Sequence, residues 1–417
     1  MLTSTLNKPK SFLLSKLESL KARTELLTGL NKVASTKDFP NIKPAQWYAI
    51  NSQLNTVANK ISRQLDAYAD RYLINADDKS EKSKLVNTLG EIELELSQAY
   101  NFYDTYMDIL TQRLSPVLGP LLKGCDAIAA DGLKHEYLSL VTKPPIVYCD
   151  RGFGASILRE GVSLAKTVNP VAFIAIPYSR LAEKYNLISI YHEVGHQALN
   201  KLDLIESFRQ VFSLSAKNAG ANTLLQNMFG NWSKEIIPDF WAFGFTGMGQ
   251  TSSIRDVLLV PQAMAFGISP YQQHPPPYLR FLFSVEWCRF LWGRGDWDEW
   301  CEEWENFYPV ACADKVTKEI ILQAKKILPN VARATITTRF KKLNNKSIAS
   351  LFDINSIAPF NLKKCINKQH FLNQSIGVQL SAFRLLRDKK NMPIAKLNAI
   401  IHSWLINLNN QNSYNHN

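Results

Sequence analysis

Ile188-Ser189-Ile190-Tyr191-His192-Glu193-Val194-Gly195-His196-Gln197-Ala198-Leu199 holds a His-Glu-x-x-His pentapeptide inside an apolar segment of helical spacing. On a helix, residues four apart lie on one face, so His192 and His196 point at one shared ion and Glu193 stands beside it. Zinc held by two imidazoles and a third protein ligand keeps a position open for water and lowers that water's pKa to about 7. A neighbouring glutamate then takes its proton, and the pattern implies metal-assisted hydrolysis. Leu187, Ile190, Tyr191, Val194 and Ala198 form an apolar stripe, which predicts a helix buried on one side and facing a cleft on the other. Gly195 costs a helix about 1 kcal/mol relative to alanine, and its presence predicts close approach by another element.

The 417 residues are enough to bury a core without metals or disulfides, so an ion here would serve chemistry and not folding. The six cysteines show no CxxC spacing, which fits a reduced, intracellular chain. The start, Met1 to Lys10, lacks a signal-peptide run, so a cytoplasmic location is expected. No stretch reaches the eighteen or so apolar residues of a membrane helix; Val257 to Ile268 comes nearest and is interrupted by Pro261 and Gln262. The net charge of +12 is uneven. From Ala313 onward there are 17 Lys and Arg against 4 Asp and Glu, a net of +13, which leaves −1 for residues 1 to 312.

Apolar residues at Ile50, Leu54, Val57, Ile61, Leu65, Tyr68 and Tyr72 predict one long helix after Pro44, and the set from Leu85 to Leu110 predicts a second. The polar link Asn75 to Ser80 predicts antiparallel packing. A weaker helix, about Ser11 to Leu30, precedes them, and Pro116, Gly119, Pro120 and Gly124 break the pattern afterwards. A new region opens at Lys143-Pro144-Pro145 with a strand, Ile146 to Cys149, running into a glycine turn; Ser156 to Thr167 is expected as a helix. Asn169 to Pro177 is the best strand in the chain. Its Val171 to Ile176 section is either an edge strand receiving an extended peptide beside the metal or a buried core strand.

A motif extended by glycine at position 199 and histidine at position 202 is excluded by Leu199 and Leu202. Downstream, Ser233-Lys234-Glu235-Ile236-Ile237-Pro238-Asp239-Phe240 places Glu235 and Asp239 four apart on one helical face. There one carboxylate can bind the ion while the next accepts a hydrogen bond from a ligand histidine and fixes its tautomer. Glu206, Asp256 and Glu286 are other candidate carboxylates. Gln273-His274-Pro275-Pro276-Pro277-Tyr278-Leu279-Arg280 follows.

The order His-Glu-x-x-His, Glu-x-x-x-Asp and His-Pro-Pro followed by arginine resembles the gluzincin peptidases, and most closely the catalytic core of the HtpX and CaaX-prenyl endopeptidase family, over about residues 145 to 290. The resemblance implies a zincin-like core with zinc ligands His192, His196 and Glu235, general base Glu193, Asp239 behind a ligand and His274 close to the metal. Tyr278, Arg280 or His274 would donate to the oxyanion. Pro238 departs from the family, which has a small residue there, and it lacks the N–H of a helix interior. Glu235 is then expected in a first turn, or the helix bends. The family is typically embedded in membrane through further helices, so its substrates do not carry over.

Trp287, Trp292, Trp297, Trp300 and Trp304 interleave with acidic residues, which favours core packing over stacking of nucleic acid. Arg339 to Lys342 and Arg384 to Lys390 are basic clusters. The expectation is a mostly α, α+β protein with a small sheet in three regions: helical 1–140, a metallopeptidase core 141–312 and basic helical 313–417. The expected function is zinc-dependent hydrolysis of peptide bonds in a protein or peptide substrate. The alternative is a peptidase-like binding module or effector whose basic region meets an acidic partner, nucleic acid or an anionic membrane surface.

Overall fold

The computed structural model describes residues 12–28, 42–75, 78–138, 143–152, 154–164, 167–269, 271–367, 370–389 and 392–413. It is a mostly α, α+β protein that divides into two compact units, Met1–Pro120 with Leu158–Ala172, and Leu121–Ile157 with Phe173–Asn417. These units are cut differently from the three regions read along the sequence.

The first unit is built on α1 (Phe12–Leu27), α2 (Pro44–Asn75) and α3 (Lys79–Leu114). Leu17, Leu20, Val57, Ile61, Leu65, Leu85, Leu89 and Leu96 form its core, which is the three-and-four spacing seen in the sequence turned inward. Contacts between α2 and α3 run in opposite directions along the two helices, with Gln53 against Tyr106, Lys60 against Glu95 and Arg71 against Glu81, so the pair is antiparallel. Asp78 caps α3, accepting from the Ser80 amide.

The break expected at residues 116–124 is shorter than the Pro and Gly content predicts. A helix, α4 (Leu118–Asp131), resumes at once, with Pro120 in its first turn, where no backbone N–H is required. The helix expected from Ser156 to Thr167 is replaced by β2 (Ser156–Leu158) and a short antiparallel pair, β3 (Ser163–Leu164) with β4 (Thr167–Val168). Gly161 takes a φ of 87°, which no helix accepts, and the Asn169 amide donates to the Arg159 and Val171 carbonyls at 3.0 and 2.6 Å, holding the loop closed.

In the second unit β1 (Ile146–Asp150) pairs in parallel with β5 (Phe173–Pro177), and the strand order is β1-β5-β2. All five β5 residues are buried, as a near-continuous apolar run in a parallel pairing requires. Because β5 is central, both of its ladders are occupied. The edge-strand role is thereby corrected to that of a core strand.

Beyond β5 come α5 (Ser189–Lys201), α6 (Ile205–Asn218), α7 (Thr223–Thr246), α8 (Met248–Val257), the single turn α9 (Gln262–Ala265), α10 (Pro277–Trp292), α11 (Asp296–Phe307) and α12 (Lys315–Thr337). The chain ends in α13 (Pro359–Asn367), α14 (Ile376–Asp388) and α15 (Ile394–Ser413). Trp287, Trp297 and Trp304 are buried, so these tryptophans belong to the core, while Trp300 lies against the Arg255 guanidinium at 5.2 Å. The basic region is no detachable tail. α12 buries Ile321, Leu328, Val331 and Ile336, and the buried Arg384 of α14 donates to Ser252, Asn186 and Asp256.

α5 and α7 meet at Gly195, where a Cβ would lie 2.9 Å from both Pro238 Cα and Trp241 Cβ. The glycine is there for the close approach that the sequence predicts. Gly195→Ala gains about 1 kcal/mol of helix propensity but forces a methyl group against backbone, and overpacking costs about 1–3 kcal/mol or more. The expected outcome is a net loss of stability in chemical denaturation. An unchanged midpoint would contradict this packing.

Candidate metal centre

The site is made by three helices of the second unit. α5 supplies His192, Glu193 and His196 from one face, α7 supplies Glu235 and Asp239 one turn apart, and α10 supplies Arg280. α7 starts from the Asn222 cap, whose side chain accepts from Leu225 N at 2.9 Å. Glu235 is therefore in mid-helix and not in a first turn, and Pro238 is also interior. The proline leaves the Lys234 carbonyl without its usual amide donor. It also presents a ring, without an N–H, to the flat side of Gly195.

The ligand atoms of His192, His196 and Glu235 all lie within 4.8 Å of one another. His192 Nε2 is 3.2 Å from His196 Nε2 and 3.4 Å from Glu235 Oε2, and His196 Nε2 is 3.8 Å from Glu235 Oε1. A tetrahedral ion with bonds of about 2.0–2.1 Å holds its ligands about 3.3–3.4 Å apart. The His192–His196 and His192–Glu235 Oε2 separations lie close to that edge, and the other Glu235 oxygen is 3.8 Å from His196, so this group can hold a metal ion.

Behind it, His192 Nδ1 lies 2.7 Å from Asp239 Oδ1, the distance of an N–H donated to a carboxylate. That bond puts the proton on Nδ1 and turns the Nε2 lone pair toward the cluster. Arg280 donates to both oxygens of Asp239, Nε to Oδ2 at 2.6 Å and Nη2 to Oδ1 at 2.9 Å, a two-point clamp on a buried carboxylate.

The electrostatics follow from burial and charge. Burial alone would lower His192, but the Asp239 carboxylate reverses this and lifts it to about 10. A proton at Nε2 and a metal ion compete for the same field. Burial, helped by the His192 ring, pushes His196 down to about 3, which keeps it neutral and able to ligate. Burial opposes ionisation of Glu235 and Asp239, but His192 and Arg280 overcome it for Glu235, and Arg280 then His192 for Asp239, so both are held well below the usual carboxylate range. Glu193 differs. The residue is 5% exposed, and burial raises its carboxyl to about 7. Three buried carboxyls thus face one permanent cation, Arg280, a balance that favours an added positive charge.

His274 sits at the open side, with its side chain 61% exposed and Nε2 3.7 Å from Glu235 Oε1. Tyr278 is not brought to the site. Two residues before Arg280 on the same helix, it points the opposite way, with its ring 5.1 Å from Phe266 and its hydroxyl pushed up by burial. Arg280 is present, and its Nε and Nη2 donate to Asp239, which makes it a clamp on that carboxylate. The other candidate carboxylates lie elsewhere: Glu206 pairs with Arg209, Glu286 with Arg289, and Asp256 with Arg384 and Arg387.

Two supports have no local signal in the sequence. Tyr191 donates to Asp131 at 2.6 Å across 60 residues, and Trp241 Nε1 donates to the Gly132 carbonyl at 3.0 Å across 109. No helix among the described residues is long and apolar enough to cross a membrane. Comparison with known proteins finds no family model, no curated protein and no solved structure that matches this chain.

Proposed function

We propose that the chain is a zinc-dependent metallopeptidase of gluzincin type, with His192, His196 and Glu235 as the zinc ligands and Glu193 as the general base. The observation that carries this reading is the convergence of two imidazole nitrogens and a carboxylate at 3.2, 3.4 and 3.8 Å, with a buried fourth side chain, Glu193, raised to about 7 beside them. A base is most effective when its pKa lies near the working pH. A purely structural site has no use for such a group. Zinc, when bound, supplies Lewis acidity, polarising a carbonyl and acidifying water.

The residues of the chain divide the remaining work. Glu193 takes a proton from the attacking water and returns it to the leaving amine, so that its carboxylate ends as it began. Asp239 holds His192 in the tautomer that offers Nε2, and Arg280 keeps Asp239 ionised and oriented. His274, whose exposed side chain lies 3.7 Å from Glu235, donates to the carbonyl oxygen as it becomes negative.

Cleavage of an unfolded, casein-like protein by the full chain tests the reading. Activity should stop on chelation and return with added zinc. Hydrolysis that survives thorough chelation would refute it.

A further inference from the structure

Two helices that donate ligands to one ion must be held at a fixed separation, and neither α5 nor α7 can set that separation by itself. The end of α4 touches both. Asp131, its last residue, accepts a hydrogen bond at 2.6 Å from the hydroxyl of Tyr191, the residue before His192 on α5. Gly132 follows. Its carbonyl accepts from Trp241 Nε1 on α7 at 3.0 Å, and a Cβ there would lie 2.9 Å from Val194 Cγ1 and 3.0 Å from Tyr191 Cδ1, both on α5. Trp241 Cβ is in turn one of the atoms that a Cβ on Gly195 would meet at 2.9 Å. The Tyr191 ring stacks on Phe245 of α7 at 4.6 Å. Two adjacent residues, the last of α4 and the glycine after it, thus bond to both ligand-bearing helices at a point where a Cβ would crowd Val194 and Tyr191.

We infer that the Asp131–Gly132 turn is a positioning strut that sets the spacing between His192 and His196 on one side and Glu235 on the other, and so tunes metal affinity without touching the metal. This rests on the metal-centre reading above. Neither residue belongs to the converging group of His192, His196 and Glu235. Their effect passes through Tyr191 and Val194 to α5 and through Trp241 to α7.

The test uses the full chain, stripped of metal and titrated with cobalt(II), whose visible absorption reports coordination geometry, with zinc affinity measured by competition against a chelator. Tyr191→Phe removes the hydroxyl that reaches Asp131, and Trp241→Phe removes the N–H that reaches Gly132. Each should weaken metal binding by about tenfold or more and alter the cobalt spectrum, with circular dichroism unchanged. Asp131→Asn keeps an acceptor oxygen and should stay near the wild type, whereas Asp131→Ala should not. Gly132→Ala should shift the spectrum most, and if that variant does not fold, the Tyr191 and Trp241 variants decide. Folded variants with wild-type affinity and spectrum would overturn the strut and leave the metal centre standing. A wild-type chain that takes up neither cobalt nor zinc would overturn both.

Discussion

Glu193→Gln is expected to keep its metal and its fold while hydrolysis falls by about a hundredfold or more. The substitution preserves size and shape and removes only the capacity to accept a proton. Glu193 is one residue past His192, a proposed ligand, so helix geometry would put it beside a bound ion and not on it. It is not among the side chains whose ligand atoms converge. Its buried carboxyl, raised to about 7, is an expensive charge for a fold to retain, and an amide should be tolerated at least as well. The measurements are zinc content, thermal melting and proteolysis on the same preparations. Loss of metal in this variant would make Glu193 a ligand and would undo the division of roles.

The second large effect concerns the ligands. His196→Ala and Glu235→Gln should each lower zinc affinity by more than about a hundredfold, because changes behind the ligands alone cost about 10–100-fold. Asp239→Asn should fall within that smaller range and should also lose stability. The asparagine oxygen still accepts from His192, but the buried Arg280 guanidinium loses its charged partner. Glu206→Gln and Glu286→Gln are the controls, since those carboxylates pair with Arg209 and Arg289 away from the cluster. Competition titration with a chromophoric chelator ranks all five. An Asp239 effect larger than that of Glu235, or any effect of the controls, would mean that the ligand set is wrong.

What could be read from the sequence was periodic or local. The helices of the first unit follow from three-and-four spacing, and the approach at Gly195 follows from a glycine inside an apolar helix. His192, His196, Glu235 and Asp239 come together because two i, i+4 pairs each define a helical face. The remainder depended on tertiary contacts. Ser156 to Thr167 carries apolar residues that suit a helix or a strand, and the positive φ of Gly161 decides against the helix. β5 was legible as a strand, but its central place depends on two partners distant in sequence. Tyr278 and Arg280 differ by two residues and so point to opposite sides, which spacing could have shown. That Arg280 grips Asp239, 41 residues away, it could not. Pro238 implies either that Glu235 starts a helix or that the helix bends; Glu235 is in mid-helix, and Pro238 packs on Gly195.

The most direct measurement is zinc titration of the purified, metal-stripped full chain. Three side chains whose ligand atoms lie within 4.8 Å, two of them neutral imidazoles when loaded, should take up about one zinc per chain with protons released as His192 gives up its Nε2 proton. One tight equivalent, abolished in His196→Ala, is the result predicted. No uptake of zinc or of any other transition metal would contradict the account at its centre.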